Sequence, residues 1–226
     1  MKDKWEHRVV SREIKQGDRV LEIGCGSGHF IKKLISQKID ATGIELNSNA
    51  VEEAKQLGLP VFLEELIDFS KGMSCKFDVV CNFQILEHSD DPKAFIETCI
   101  GLLKPSGRLW ICVPNSAGFI RLADNDLLNQ PPHHVTRWSK SVFRYLETQY
   151  PVKIKRILYE PLASYHLEWY INLQLSRLPL PKVLKRYIYI GTRKIGLPIA
   201  QHSKIYRILS GHTICVCYEK NEVITY

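Results

Sequence analysis

Residues 20–30, V-L-E-I-G-C-G-S-G-H-F, constrain this chain more than any other stretch. Val20, Leu21 and Ile23 are apolar around Glu22, as in a buried parallel strand. Gly24, Gly26 and Gly28 then bend the chain, and Phe30, Ile31, Leu34 and Ile35 recur at helical spacing. Glycines suit a turn whose backbone runs close to a ligand, where a Cβ would clash. The helix that follows aims unpaired N–H groups at whatever occupies the crevice. A strand, a glycine turn and a helix in that order open a doubly wound α/β sheet.

The spacing here is G-x-G-x-G, with an acid two residues before the first glycine, and not the G-x-G-x-x-G of dinucleotide folds. L-E-I-G-C-G-S-G resembles the first motif of class I S-adenosylmethionine-dependent methyltransferases, acid-x-G-x-G-x-G. The chemistry agrees. S-adenosylmethionine carries a sulfonium and an ammonium, which a carboxylate attracts, whereas a pyrophosphate would be repelled. The resemblance implies that Glu22, Gly24, Gly26 and Gly28 line the cofactor. A second strand, Ala41 to Ile44, ends in Glu45, about 20 residues past the turn, where an acid can accept both ribose hydroxyls. The resemblance gives Glu45 that role, with Leu46 beside it. In the family, the loop after the third strand, here Pro60 to Leu63, reaches the adenine. Glu65 and Leu66 map there, with Asp68 as competitor.

A second motif supports the first. Phe77 to Cys81 reads as a fourth strand and runs into Asn82, Phe83, Gln84, Ile85, Leu86, Glu87 and His88. F-D-V-V followed by L-E-H is similar to the small-molecule branch of the family. Residues just past a strand lie at the sheet's carboxyl end, where open α/β sheets bind ligands. Asn82, Phe83 and Gln84 are therefore expected around the methionine part and the methyl group. Some quinone-biosynthesis O-methyltransferases carry acid-x-x-Glu-His at this point and are thought to use a divalent metal. This chain has Gln84 in place of the first acid, so no metal is expected, and Glu87 and His88 are read as bracing the next loop. L-K-P-S-G-R-L, also common in the family, leads to a fifth strand, Leu109 to Val113.

After that strand comes N-Q-P-P-H-H-V-T-R-W, residues 129–138. Two prolines stiffen the loop. P-P-H-H-x-x-R-W resembles a signature of a bacterial methyltransferase group linked to surface-glycan or natural-product pathways. His133 and His134 are the candidate catalytic residues, because a histidine titrates near neutrality and can take a proton from a hydroxyl. Their alternative role is to hold the loop by hydrogen bonds.

Val152 to Tyr159 and Thr213 to Tyr218 read as the sixth and seventh strands, an antiparallel edge. Between them, residues 161–210 form a long insert with helices expected at Tyr165 to Leu175, Lys182 to Ile190 and Ile199 to Leu209. Charge divides sharply. Residues 1–150 hold 19 Lys and Arg against 20 Asp and Glu, whereas 151–226 hold 12 against 4. A basic, aromatic, helical insert suits a substrate lid, with Lys182, Lys185, Arg186, Arg193 and Lys194 facing an anionic acceptor or a membrane surface. Nothing resembling an RNA-binding module accompanies it, so nucleic acid is disfavoured.

The resulting expectation is one class I methyltransferase domain over residues 1–226. It has a Rossmann-like, doubly wound, seven-stranded, mostly parallel sheet and a helical insert, about 161–210, before the last strand. S-adenosylmethionine is the cofactor, and the acceptor is a small molecule or a lipid- or glycan-linked one, expected to be methylated at oxygen. No run of 18 apolar residues marks a membrane span, the start of the chain lacks the apolar stretch of a signal peptide, and seven scattered cysteines read as reduced buried thiols. These features fit a cytoplasmic protein with peripheral membrane contact. Little precedes the first strand, so a cover for the site is expected from elsewhere in the chain. The competing readings are a cofactor-binding regulator without turnover and a nicotinamide-binding protein, the latter disfavoured by the glycine spacing.

Overall fold

A computed structural model describes residues 4–123 and 130–222. Five parallel strands, β1 (Arg19–Ile23), β2 (Asp40–Glu45), β3 (Val61–Leu63), β4 (Phe77–Phe83) and β5 (Leu103–Pro114), join β6 (Val152–Pro161) and β7 (Ser210–Lys220) in one sheet. The order is β3-β2-β1-β4-β5-β7-β6, with β7 antiparallel to both its neighbours. Chain order reverses between β1 and β4, which opens a crevice at their carboxyl ends.

Alternation along the strands sorts the core onto two faces. Val79, Cys81, Trp110 and Cys112 pack with α1 (Trp5–Ser11), α2 (His29–Ser36) and α3 (Ser48–Gln56). Val80, Leu109, Ile111 and Val216 pack with α4 (Leu66–Ser70), α5 (Pro92–Leu102) and α6 (Lys140–Gln149). Helix starts follow the sequence. The Asn47 side chain accepts from Asn49 N and Ala50 N, and that of Asp91 accepts from Ala94 N with Pro92 at the first helical position.

Three expectations are corrected. Cys112 and Cys215 form a disulfide, because β5 and β7 set them directly opposite each other; Cys25, Cys75, Cys81, Cys99 and Cys217 remain thiols. The acidic turn after β3 contains the short helix α4, whose Leu66 and Phe69 are buried. The insert has α7 (Leu167–Arg177), α8 (Lys182–Gly191) and α9 (Leu197–Ser203), but the third helix stops at Lys204, where φ is +57° and the chain starts a separate short turn. The insert carries its own apolar cluster of Leu162, Leu167, Leu197 and Tyr206, closed by Phe119 and Ile120 from the segment after β5.

Candidate active site

The glycine turn adopts left-handed backbone, with φ of +70° at Gly24, +54° at Gly26 and +75° at Gly28. A Cβ at Gly24 would lie 2.3 Å from Ile85 Cδ1, and one at Gly28 2.9 Å from Leu59 Cδ1. Gly28 therefore serves the fit of α2 against its neighbours and Gly24 the close approach of Ile85, while Gly26 faces open space. Two cavities meet at Gly24. One, of about 490 Å³, is lined by Lys4, His7, Glu22, Gly26, Ser27 and Phe83 among others. The other, of about 350 Å³, is lined by Glu45, Leu46, Glu65, Leu66, Ile85 and Phe95 among others.

Glu45 is held by backbone donors. Its Oε2 accepts from Gly26 N at 2.8 Å, and its Oε1 from Leu46 N and Asn47 N at 2.9 Å each. The carboxylate thus bridges the glycine turn and the end of β2. Glu22 is buried within the sheet, and its Oε2 has no hydrogen-bond partner. Burial pushes its carboxyl well above the usual range, opposed by Lys4 and reinforced by Glu45. A cation arriving in the cavity would reverse that cost. At the end of β4, Asn82 is fully buried with both amide atoms unpartnered, and Gln84 Nε2 is unpartnered as well. Gln84 itself stands at φ +60°, an uncommon conformation for a residue with a Cβ, which turns the chain sharply where the strand meets the crevice.

The segment before β1, expected to be too short to cover the site, supplies part of its cover through α1. His7 packs 5.0 Å from Phe30 and 4.7 Å from Phe83, ring to ring, and with Lys4 it walls the first cavity. About two turns of helix gave no sign of this role in the sequence.

A third cavity, of about 220 Å³, lies beyond the end of β4. Glu87, Ser116, Arg121, His134, Thr136 and Arg137 line it. Glu87 is 2% exposed and neither carboxyl oxygen has a hydrogen-bond partner; burial raises its pKa to about 7. Its main-chain carbonyl accepts from Val135 N and Thr136 N, so by its backbone it holds the segment before α6 and not the loop directly after it. Of the two candidate histidines, His134 lines the cavity and His133 is exposed, with its carbonyl accepting from His88 Nδ1 at 2.6 Å. Because a carbonyl only accepts, His88 carries its proton on Nδ1 and turns Nε2 toward Glu87 Oε1, 4.0 Å away. Glu87, His88 and His134 bring one ligand atom each within 4.8 Å of one another, a donor set that could hold a divalent cation. Asn129 lies outside the described residues.

Next to this cavity, where β6 ends and β7 begins, lie charges that periodicity did not reveal. His212 Nδ1 stands 3.1 Å from Glu160 Oε2, and the His166 ring meets His212 edge-on at 4.9 Å. Burial would raise the Glu160 carboxyl, but the adjacent His212 and Thr213 side chains, with His166 nearby, hold it below its ordinary value. Burial, then His212, lowers His166.

A reversed-order parallel sheet, a glycine turn after β1 and an acid after β2 define a class I methyltransferase. A family model described as "Methyltransferase domain" matches residues 3–170, and the chain belongs to that family, with S-adenosylmethionine as its cofactor. A ubiquinone biosynthesis O-methyltransferase of Xylella fastidiosa (strain M23) is 32% identical over 113 residues, 47% of this chain and 46% of that protein. One from Coxiella burnetii (strain Dugway 5J108-111) is 28% identical over 115 residues, 48% and 49% respectively. The chain spans about half the length of the curated relatives it matches. Among solved structures, an S-adenosylmethionine-dependent methyltransferase from Archaeoglobus fulgidus superposes with a TM-score of 0.62 at 20% identity, covering 95% of this chain and 93% of that one. The cyclopropane synthase MmaA2 of Mycobacterium tuberculosis superposes at 0.56 with 16% identity, covering 95% and 81%. These likenesses show the fold alone.

Proposed function

We propose that the protein transfers the methyl group of S-adenosylmethionine to a hydroxyl oxygen of a small acceptor seated in the cavity beyond β4. The observation that carries this reading is the unpartnered, buried Glu87 carboxyl, which shares that cavity with His134 at the end of the strand whose Phe83 walls the cofactor cavity. Oxygen is the attacking atom we favour, in line with the names of the relatives that align over half the chain.

In this reading Glu45 accepts the ribose hydroxyls, Glu22 meets the cationic end of the cofactor, and Glu65 and Leu66 border the adenine. Asn82, Phe83 and Gln84 flank the methionine part. The sulfonium supplies an activated methyl group, so the chain contributes alignment, exclusion of water and proton removal. His134 is the base, because it reaches the cavity and His133 does not. Transfer proceeds without a metal, since Gln84 stands where the quinone-biosynthesis enzymes carry their first acid. Adding a chelator then leaves turnover unchanged.

The insert is the acceptor's cover and a contact for an anionic membrane surface. Val183, Leu184, Tyr187 and Ile190 are exposed on α8 beside Lys182, Lys185 and Arg186. Among the described residues no helix is long and apolar enough to cross a membrane, so contact would be peripheral. Calorimetry with S-adenosylmethionine, S-adenosylhomocysteine and a nicotinamide dinucleotide tests the cofactor half of the reading, and labelled methyl transfer to a panel of hydroxylated acceptors tests the rest. Nicotinamide binding would overturn it; cofactor binding without transfer to any acceptor would favour a regulator. Sedimentation with anionic vesicles at low salt tests the membrane contact, which no binding there would rule out.

A further inference from the structure

We infer that the acceptor carries an oxyanion, a carboxylate or a phosphate, gripped by Arg121 and Arg137 in the cavity that holds Glu87. This rests on the methyltransferase reading of that cavity and adds the substrate's charge. The two arginines arrive from opposite ends of the segment after β5, Arg121 on the short turn Phe119–Leu122 and Arg137 just before α6. Both line the same 220 Å³ space. Both side chains are exposed, and neither guanidinium has a hydrogen bond or ion pair among the described residues.

That absence of partners matters because the two share one cavity, whereas several other arginines are paired off. Arg108 pairs with Asp18, Arg156 with Glu13 and Arg193 with Glu168. Two cations left unpaired in one small cavity repel each other, and an anion between them removes that cost. A guanidinium presents a planar fork that matches a carboxylate or phosphate oxygen pair. The carboxyl already present does not neutralise them, since Glu87 has no hydrogen-bond partner. It is left to meet a hydroxyl, as donor or acceptor. Arg121 also lines a neighbouring cavity of about 330 Å³ with Phe119, Tyr170, Gln174 and Arg177, so the anion would sit between the reacting hydroxyl and a remainder of the acceptor under the insert.

The test uses the intact protein saturated with S-adenosylhomocysteine and three probes: benzoate, phenyl phosphate and neutral benzamide. Calorimetry or ligand-observed NMR measures each affinity. At least one anion should bind about tenfold or more tighter than benzamide, the size of a charge-assisted hydrogen bond. Arg121→Gln and Arg137→Gln should each remove about that factor, and the double variant should erase the preference while benzamide is unaffected. The two anions tell carboxylate from phosphate. Equal binding of all three, no measurable binding of either anion, or a preference that survives the double substitution would overturn the clamp. S-adenosylhomocysteine affinity, read on the same samples, separates the outcomes. Its loss in the wild type would sink the methyltransferase reading, whereas its retention with failed anion binding sinks only the clamp. Arg→Lys at both positions keeps the charge without the fork and should retain part of the preference.

Discussion

The cofactor side of the crevice and the acceptor side are built differently. On the cofactor side, Glu45 is fixed by three backbone N–H groups, and the glycine turn is fixed by its own dihedrals and by Ile44 O, which accepts from Gly24 N and Cys25 N. On the acceptor side, the Glu87, Arg121 and Arg137 side chains lack hydrogen bonds among the described residues and come from turns that bear no hydrogen-bonded ladder. The first arrangement is set by backbone and admits one ligand shape. The second is set by side chains, which can be exchanged without rebuilding the sheet. A shared cofactor and a variable acceptor need that division of labour.

The contrast can be broken at its strongest point first. Gly24→Val should abolish S-adenosylmethionine binding by calorimetry, since a branched side chain at φ +70° is strained and drives into Ile85. Retained affinity would mean that the turn is not the ligand's floor. On the other side, His134→Ala should lower methyl transfer by about 10²–10⁴ with cofactor affinity unchanged. An equal loss of cofactor affinity would make His134 a brace for both halves.

Smaller effects sharpen the comparison. Glu45→Ala should weaken cofactor binding by about 1.5–3 kcal/mol, the range for hydrogen bonds to a charged group, and leave acceptor affinity alone. Glu160→Gln probes the acceptor side by stability. Because Glu160 is held below its ordinary pKa in the fold, its carboxylate stabilises the protein above the unfolded value, about 4.3, and that support fades as pH falls through the folded value. Denaturant unfolding should show Glu160→Gln costing on the order of 1–3 kcal/mol at neutral pH, with the gap to wild type closing in acid. A gap that is constant with pH would mean that the loss is packing, not charge.

The two halves also differed in how far the sequence disclosed them. Val20 to Ile23, the glycines and Glu45 are read from local pattern, because a strand, a turn and a helix each leave a signature within ten residues. The pairing of Cys112 with Cys215 depends on strand register across 103 positions, and no local pattern carries it. The meeting of Glu87 with Arg121 and Arg137 is of the same kind, as is the His212 contact with Glu160. The third insert helix ends at Lys204, whose left-handed backbone interrupts the helical spacing of its neighbours, and a lysine carries no local signal for such a bend. Lys4 and His7 were passed over because a helix of seven residues shows too little periodicity to reveal its buried face.

The order of the sheet leaves two open edges, and both are poor templates for another chain. β3 spans only three residues, too short for a lasting ladder. β6 is longer, but Lys153, Lys155 and Arg156 are exposed along it and its register slips twice against β7. Charged, bulged edges resist the strand-to-strand joining that leads to fibres and precipitates. With those routes blocked, self-association at high concentration falls to exposed apolar side chains such as Val183 and Tyr187 on α8 and Ile205 and Ile208 after α9.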